Sequence, residues 1–233
     1  MTQPMHPSYI MPFNPYLAAP PTGKSAAACE AILQAASEVF AEQGFAAAKV
    51  QSIATRAGLP KANVLYHFKS KDNLYSQVLA RVTGPYLEAC RAFEPQEQPL
   101  EALTRHIRAL SRLFQEQPFG AKVLMTELAA GATRLSAEHV ERWRTQARQS
   151  VARLGEWIDL GLLAPADPQH VLMQLWAMAQ ACINLGWQMP RVIGKPSLQA
   201  SDHAAFEGTV QLLLRGLLVT QANPLASLLQ RQA

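Results

Sequence analysis

Cysteine is scarce in this chain: three in 233 residues, at Cys29, Cys90 and Cys182, with no C-x-x-C pair. Neither a disulfide framework nor a zinc site of ordinary spacing is indicated, and each thiol is expected as a small buried or half-buried side chain. Long apolar runs are also lacking. The longest are too short and too interrupted to span a bilayer, although 49% of the residues are apolar, enough for a sizeable core. There is no strand-like alternation and no internal repeat. No H-E-x-x-H, G-x-S-x-G, Gly-rich phosphate loop or Walker-type lysine is found. His106, His139, His170 and His203 are scattered, and the pair Glu138-His139 reads as a solvated helix face. An enzyme is therefore the weak alternative, and no cofactor or metal is expected. The first residues have neither the basic start nor the continuous apolar block of a secretory signal. A reducing cytoplasm fits, and no membrane partner is expected.

What is present centres on residues 50–75. Ile53 and Ala57 are one helical turn apart, and Ala54 is small enough for a second helix to cross it closely. Gly58 stands where the first short helix must end in positive φ. Pro60 blocks continuation and suits the opening of the next helix. Val64 and Leu65 return apolar groups to the same small core. Lys61, Ala62, Asn63, Tyr66 and His67 are left on the other side. The pattern predicts a helix-turn-helix whose second helix shows the major groove a polar, aromatic and basic face. Between Lys49 and Arg81 there are six cations and one anion, Asp72, while the whole chain carries only +4. The basic excess is local, as a phosphate-facing surface requires, though charge alone would equally suit a solvated helical hairpin.

Ahead of this stretch, residues 1–24 hold six prolines, one cation and no acid, and predict an extended or disordered arm. It can serve as a minor-groove arm or pack through Tyr9, Ile10, Phe13 and Tyr16. A helix over 26–43 follows, with Ile32, Ala36, Val39 and Phe40 on one stripe and Gly44 as its stop. Beyond residue 71 the spacing predicts helices over 71–93, 100–117, 121–130, 137–160, 168–186 and 202–219. A polar break at 94–99 and a loop at 187–201 separate them. Asp167-Pro168 is an N-cap followed by proline at the first helical position. The face expected inward on the last helix is Phe206, Val210, Leu213 and Leu217. The helices over 168–186 and 202–219 are apolar on more than one face. Either they are the core of a monomer, or they pair with their copies in a two-fold four-helix bundle. A homodimer would also space two recognition helices for a pseudo-palindromic operator in double-stranded DNA.

The fold expected is thus all-α, with about nine helices: an arm at 1–24, a three-helix head at 25–70, and a ligand-binding and dimerising bundle at 71–233. Gly44-Phe45, Ile53-Ala54, Ala57-Gly58, Tyr66-His67-Phe68, Ser70-Lys71 and Leu74-Tyr75 resemble the signature of the TetR family of one-component bacterial repressors. Further runs are Lys61 to Tyr66, Met125 to Leu128 with Ala130-Gly131-Ala132, Leu163 to His170, and Trp176-Ala177 with Gln180. These are similar to the pyrimidine-utilisation repressor subgroup, which implies a pyrimidine or a pyrimidine breakdown product as effector. The family usually has Thr before its second helix and Ser at the cap of its recognition helix. Here Ala48 and Pro60 take those places, each with loss of a cap worth ~1 kcal/mol and of a phosphate-bonding hydroxyl.

Site residues follow. Lys61 and Asn63 go to the base edges, since asparagine pairs bidentately with adenine and lysine reaches guanine O6 or N7, and Ala62 between them belongs to the same DNA-binding face. Lys49, Tyr66, His67 and Lys71 go to phosphates, with Tyr66 alternatively a helix-packing residue. In the body, Trp176, Gln180 and Asn184 fall at i, i+4 and i+8, an aromatic wall with two amides that could read an imide edge, and Glu127 would complete the set. The alternative is that Trp176 is core and the amides are interface groups. A ligand-responsive regulator is the reading. The competing class is a protein of the same fold that has lost specific DNA binding.

Overall fold

The computed structural model describes residues 24–184, 188–197 and 199–219. The expected arm, Cys182 and the side chain of Asn184 lie outside what is described. Among the described residues there are ten helices: α1 Lys24–Ala47, α2 Val50–Arg56, α3 Lys61–Phe68, α4 Lys71–Ala89, α5 Pro99–Glu116, α6 Pro118–Ala129, α7 Ala137–Asp159, α8 Pro168–Asn184, α9 Gln188–Val192 and α10 Ala200–Gly216. Among the described residues the one extended pairing is an antiparallel bridge between Leu163 and Leu218. The tenth helix is α9, a single turn where a loop was expected. Pro190 is its third residue, a place in the first turn where no intrahelical N–H is missed. Proline also opens α5, α6 and α8, so α6 begins at Pro118, three residues before its expected start.

Gly44 lies inside α1 with φ 72° and ψ 166°, so the stop read there is a kink, followed by one further turn carrying Phe45. The head closes on Ile32, Ala35, Ala36, Val39 and Phe40 of α1, Ile53 and Ala54 of α2, and Val64 and Phe68 of α3, all buried. Leu65, expected in this core, is exposed. Over eight residues α3 has one inward stripe, and Val64 and Phe68 fill it at i and i+4. Phe40, Phe45 and Tyr75 meet in edge-to-face contacts, with Tyr75 centred 4.9 Å from each phenylalanine ring.

α4 leaves the head and runs into the body, where α5 packs against α8, and α7 against α8 and α4. α6 returns to lie on α1 and α4. Leu103, Ile107, Leu110 and Phe114 are buried on one stripe of α5 as the spacing requires. The hydrophobic cluster is continuous from Ile32 to Leu214. The polar break at 94–99 is a clamped turn rather than a loose linker: Arg105 Nε donates to Glu97 at 2.7 Å and the Glu94 N–H donates to Glu97 at 2.7 Å. Burial works to raise the Glu97 carboxyl, but these bonds and the nearby Arg91 hold it below the usual range. Pro85 sits inside α4. On α10 the inward leucine is Leu214, fully buried, whereas Leu213 is 56% exposed beside exposed Leu212.

Candidate nucleic-acid interface and effector core

The turn between α2 and α3 is built from backbone alone. Ala57 caps α2, and Gly58 follows with φ +67°. The Gly58 N–H donates to Thr55 O at 3.1 Å and the Leu59 N–H to Ala54 O at 3.0 Å. This double closure is the Schellman ending, which needs a left-handed residue at its centre. Pro60 then opens α3 at φ −59° and ψ 143° without a side-chain cap, and Lys49 does the same for α2. The two hydroxyl caps noted as missing are not replaced by other side chains.

α3 turns Lys61, Ala62, Asn63 and Tyr66 outward. Tyr66 is 72% exposed, so it is not a packing residue within the subunit. Lys69, at φ +63°, folds back to donate to Tyr66 O at 2.8 Å and lies over the Tyr66 ring at 5.2 Å. His67 is half-buried, 5.1 Å from the Tyr66 ring centroid. Ser70 caps α4 by accepting from the Asn73 N–H at 3.0 Å.

Lys71, expected at a phosphate, is engaged within the head itself. Its ammonium donates to Phe45 O at 2.9 Å, Ala48 O at 3.1 Å and Ala46 O at 3.3 Å, and lies 4.5 Å from the Phe45 ring. An ammonium has three donors, and all three are spent on carbonyls at the end of α1. Two more cations of the basic stretch are neutralised by α1: Arg56 meets Glu42 at 2.8 Å, and Arg81 holds Glu30 through two bonds of 2.6 and 2.7 Å. Lys49 and Lys61 remain exposed with no partner among the described residues.

In the body, Trp176 of α8 packs on Trp143 of α7 with ring centroids 5.5 Å apart, and Trp143 meets Tyr86 of α4 at 6.0 Å. The indole N–H of Trp143, that of Trp176 and Gln146 Oε1 are buried with no hydrogen-bond partner among the described residues, and the buried Tyr86 hydroxyl has the Cys90 thiol beside it. Burial pushes the Tyr86 phenol well up, with Cys90 beside it adding to the shift, and burial pushes the Cys90 thiol up to about 12. Neither ionises at neutral pH. Gln180 is half-buried one turn beyond Trp176. Tyr86, Trp143 and Gln146 were not among the residues the sequence singled out for the effector. They come from two other helices, and packing puts Trp143 between Trp176 and Tyr86.

Glu127 does not join this group. Its carboxylate is 2% exposed and faces the head: it accepts from the Tyr75 hydroxyl at 3.1 Å, the Arg134 N–H at 2.7 Å and the Thr133 hydroxyl at 3.4 Å. Arg134 lies over the Phe45 ring at 4.3 Å. Burial, then the Glu127 charge, drive the Tyr75 phenol far above its ordinary value, so Tyr75 is a fixed donor.

An outward helix behind a glycine turn, carried by a helical body with an unsatisfied polar-aromatic interior, defines a one-component DNA-binding regulator. Residues 32–78 match the model of bacterial regulatory proteins of the tetR family, and residues 79–220 match that of the YcdC-like protein C-terminal region. The chain belongs to the TetR family of transcriptional regulators. It is 32% identical over 186 residues to the HTH-type transcriptional regulator RutR of Escherichia coli K12, covering 80% of this chain and 86% of that one. It is 38% identical over 101 residues to the HTH-type transcriptional repressor Rv3405c of Mycobacterium tuberculosis, covering 43% of this chain and 53% of that one. Among solved structures, a putative transcriptional regulator, SCO4942, from Streptomyces coelicolor superposes with a TM-score of 0.55 at 26% identity, over 79% of this chain and 96% of that one. AibR in complex with isovaleryl coenzyme A and operator DNA shares the fold, with a TM-score of 0.59 at 18% identity over 79% and 97% of the two chains. The family and its named relatives are transcriptional regulators, and this chain is one of them. Among the described residues no helix is long and apolar enough to cross a membrane.

Proposed function

We propose that this protein is a cytoplasmic repressor. Its head, 25–70, reads a pseudo-palindromic operator through Lys61, Ala62 and Asn63, with Lys49, Tyr66 and His67 on phosphates. Its body, 71–233, holds a flat heterocycle at Trp176. The carrying observation is the set of three buried polar atoms on and beside the Trp143–Trp176 pair that have no partner among the described residues. A buried unpaired donor or acceptor costs about 1–3 kcal/mol, and such a cost persists where a ligand completes the bonds. Two indole donors and one amide acceptor suit a ring with carbonyl acceptors and an N–H, which a pyrimidine has. Gln180 and Asn184 extend the same face of α8. The dimer forms through α8 and α10, where Met173, Leu212 and Leu213 are exposed, and an effector lowers operator affinity by preferring the spacing that does not fit DNA.

The test is thermal shift against uracil, thymine and their ring-opened products, with operator binding followed in parallel. A ligand at 100 times its dissociation constant adds about 2.7 kcal/mol, and Trp176→Ala should abolish that shift. Operator binding with no shift from any of these compounds removes the pyrimidine assignment.

A further inference from the structure

Cys29 and His67 are far apart in the chain and meet across the head. Cys29 lies on α1, one turn before Ile32, at the rim of the core on which α3 packs. Its sulfur is 3.3 Å from His67 Nδ1, in the last turn of α3. Both side chains are half-buried. The other ring nitrogen, Nε2, has no hydrogen bond within the described residues.

We propose that Cys29 is a positioning residue for operator binding: its S–H donates to His67 Nδ1 and so holds the imidazole proton on Nε2, the atom that meets the DNA phosphate. The inference rests on the placing of His67 at the operator backbone. The direction of the bond follows from the chemistry of the pair. A neutral imidazole has one basic nitrogen and one N–H. A thiol is a weak donor and its sulfur a weak acceptor, so the pair is best made with the basic nitrogen accepting. Burial keeps the Cys29 thiol protonated, and the donor is therefore present at neutral pH. The consequence at the outer nitrogen is a matter of sign. With Nδ1 accepting, Nε2 presents N–H to a phosphate oxygen. With the proton on Nδ1, Nε2 would present a lone pair to an anion. The Tyr66 ring, edge-on to His67, restricts rotation of the imidazole that could exchange the two nitrogens.

The experiment uses the full-length dimer. Long-range proton–nitrogen correlation spectra of the imidazoles are recorded for the wild type, Cys29→Ser and Cys29→Ala, and operator affinity is measured for each with and without His67→Phe. The wild type should show His67 with its proton on Nε2. Cys29→Ser keeps a donor and should keep both the tautomer and most of the affinity. Cys29→Ala should give mixed tautomers and about three- to ten-fold weaker operator binding, the scale of one hydrogen bond. In the His67→Phe background Cys29→Ala should change nothing further. A wild-type proton on Nδ1, or a tautomer unmoved by Cys29→Ala, overturns the pairing. An equal loss from Cys29→Ala in both backgrounds also overturns it, since that loss would come from packing. If His67→Phe alone leaves operator affinity untouched, the placing of His67 at the phosphate fails, and the spectra still decide the pairing separately.

Discussion

The Tyr75 hydroxyl donates to Glu127 Oε2 at 3.1 Å, joining the helix that leaves the DNA-reading head to the helix of the body that returns to it. The carboxylate is almost completely buried and also braces the turn after α6, through the Arg134 N–H. Tyr75→Phe keeps the ring and its contacts with Phe40 and Phe45 but strips one bond from a buried charge. We expect a loss of about 1–3 kcal/mol in urea unfolding. Glu127→Ala, which leaves the Tyr75 hydroxyl and the Arg134 N–H without their acceptor, should cost more than Tyr75→Phe. Equal stabilities for wild type and both variants would show that the contact holds nothing.

Lys71 and Lys49 are both cations of the basic stretch, and their variants should behave differently. Lys71→Met removes a cap on the three carbonyls at the end of α1 and should lower the melting temperature. It should leave the salt slope of operator binding nearly unchanged. Lys49→Met removes an exposed cation and should spare the melting temperature while reducing that slope by about one unit. Titrating operator affinity against salt for both variants checks this, and the reverse pattern would return Lys71 to the phosphates.

Asn63 projects from the first turn of α3. Asn63→Ala should cost about 1–3 kcal/mol against the preferred operator, and the cost should disappear when one particular base pair is changed. Selection of binding sites with the wild type and the variant gives that position.

His106 is fully buried on α5, 5.5 Å from the Phe93 ring, and neither ring nitrogen has a partner among the described residues. Burial, aided by Arg105, lowers its pKa from 6.5 to about 4. The unfolded chain therefore takes up the proton first as pH falls. The stability tied to the neutral ring is complete above pH 6.5 and is lost between pH 6.5 and about 4, amounting to about 3 kcal/mol. His106→Leu should flatten that part of the stability profile in urea unfolding measured from pH 4 to pH 7.

Much of the head was readable because its signals are local. The glycine at position 58, the proline at 60 and the apolar spacing of α1 act over a few residues, and the Schellman turn answers to them directly. Leu65 and Leu213 were misplaced because spacing locates a stripe but not its edge, and the neighbouring helix decides that edge. The charge count over residues 49–81 overstated the basic surface because Glu30 and Glu42, which neutralise Arg81 and Arg56, come from α1. Trp176 was legible as an aromatic on a face with amides. Its companions Tyr86, Trp143 and Gln146 were not, since no spacing within one helix relates residues on three. Glu127 was drawn to the wrong end of the body for the same reason: its partner, Tyr75, is on another helix.

Tyr75 and Tyr86 stand on one shaft, about 16 Å apart along α4, the first fastened to the head's neighbour and the second inside the aromatic interior. Pro85 is the residue just before Tyr86, and having no N–H it leaves the Arg81 carbonyl without its helical bond. The rod thus lacks one helical bond beside the aromatic interior. A helix made to bend does so most readily at such a missing bond, and here that joint falls between the tyrosine fastened to Glu127 and the one packed on Trp143.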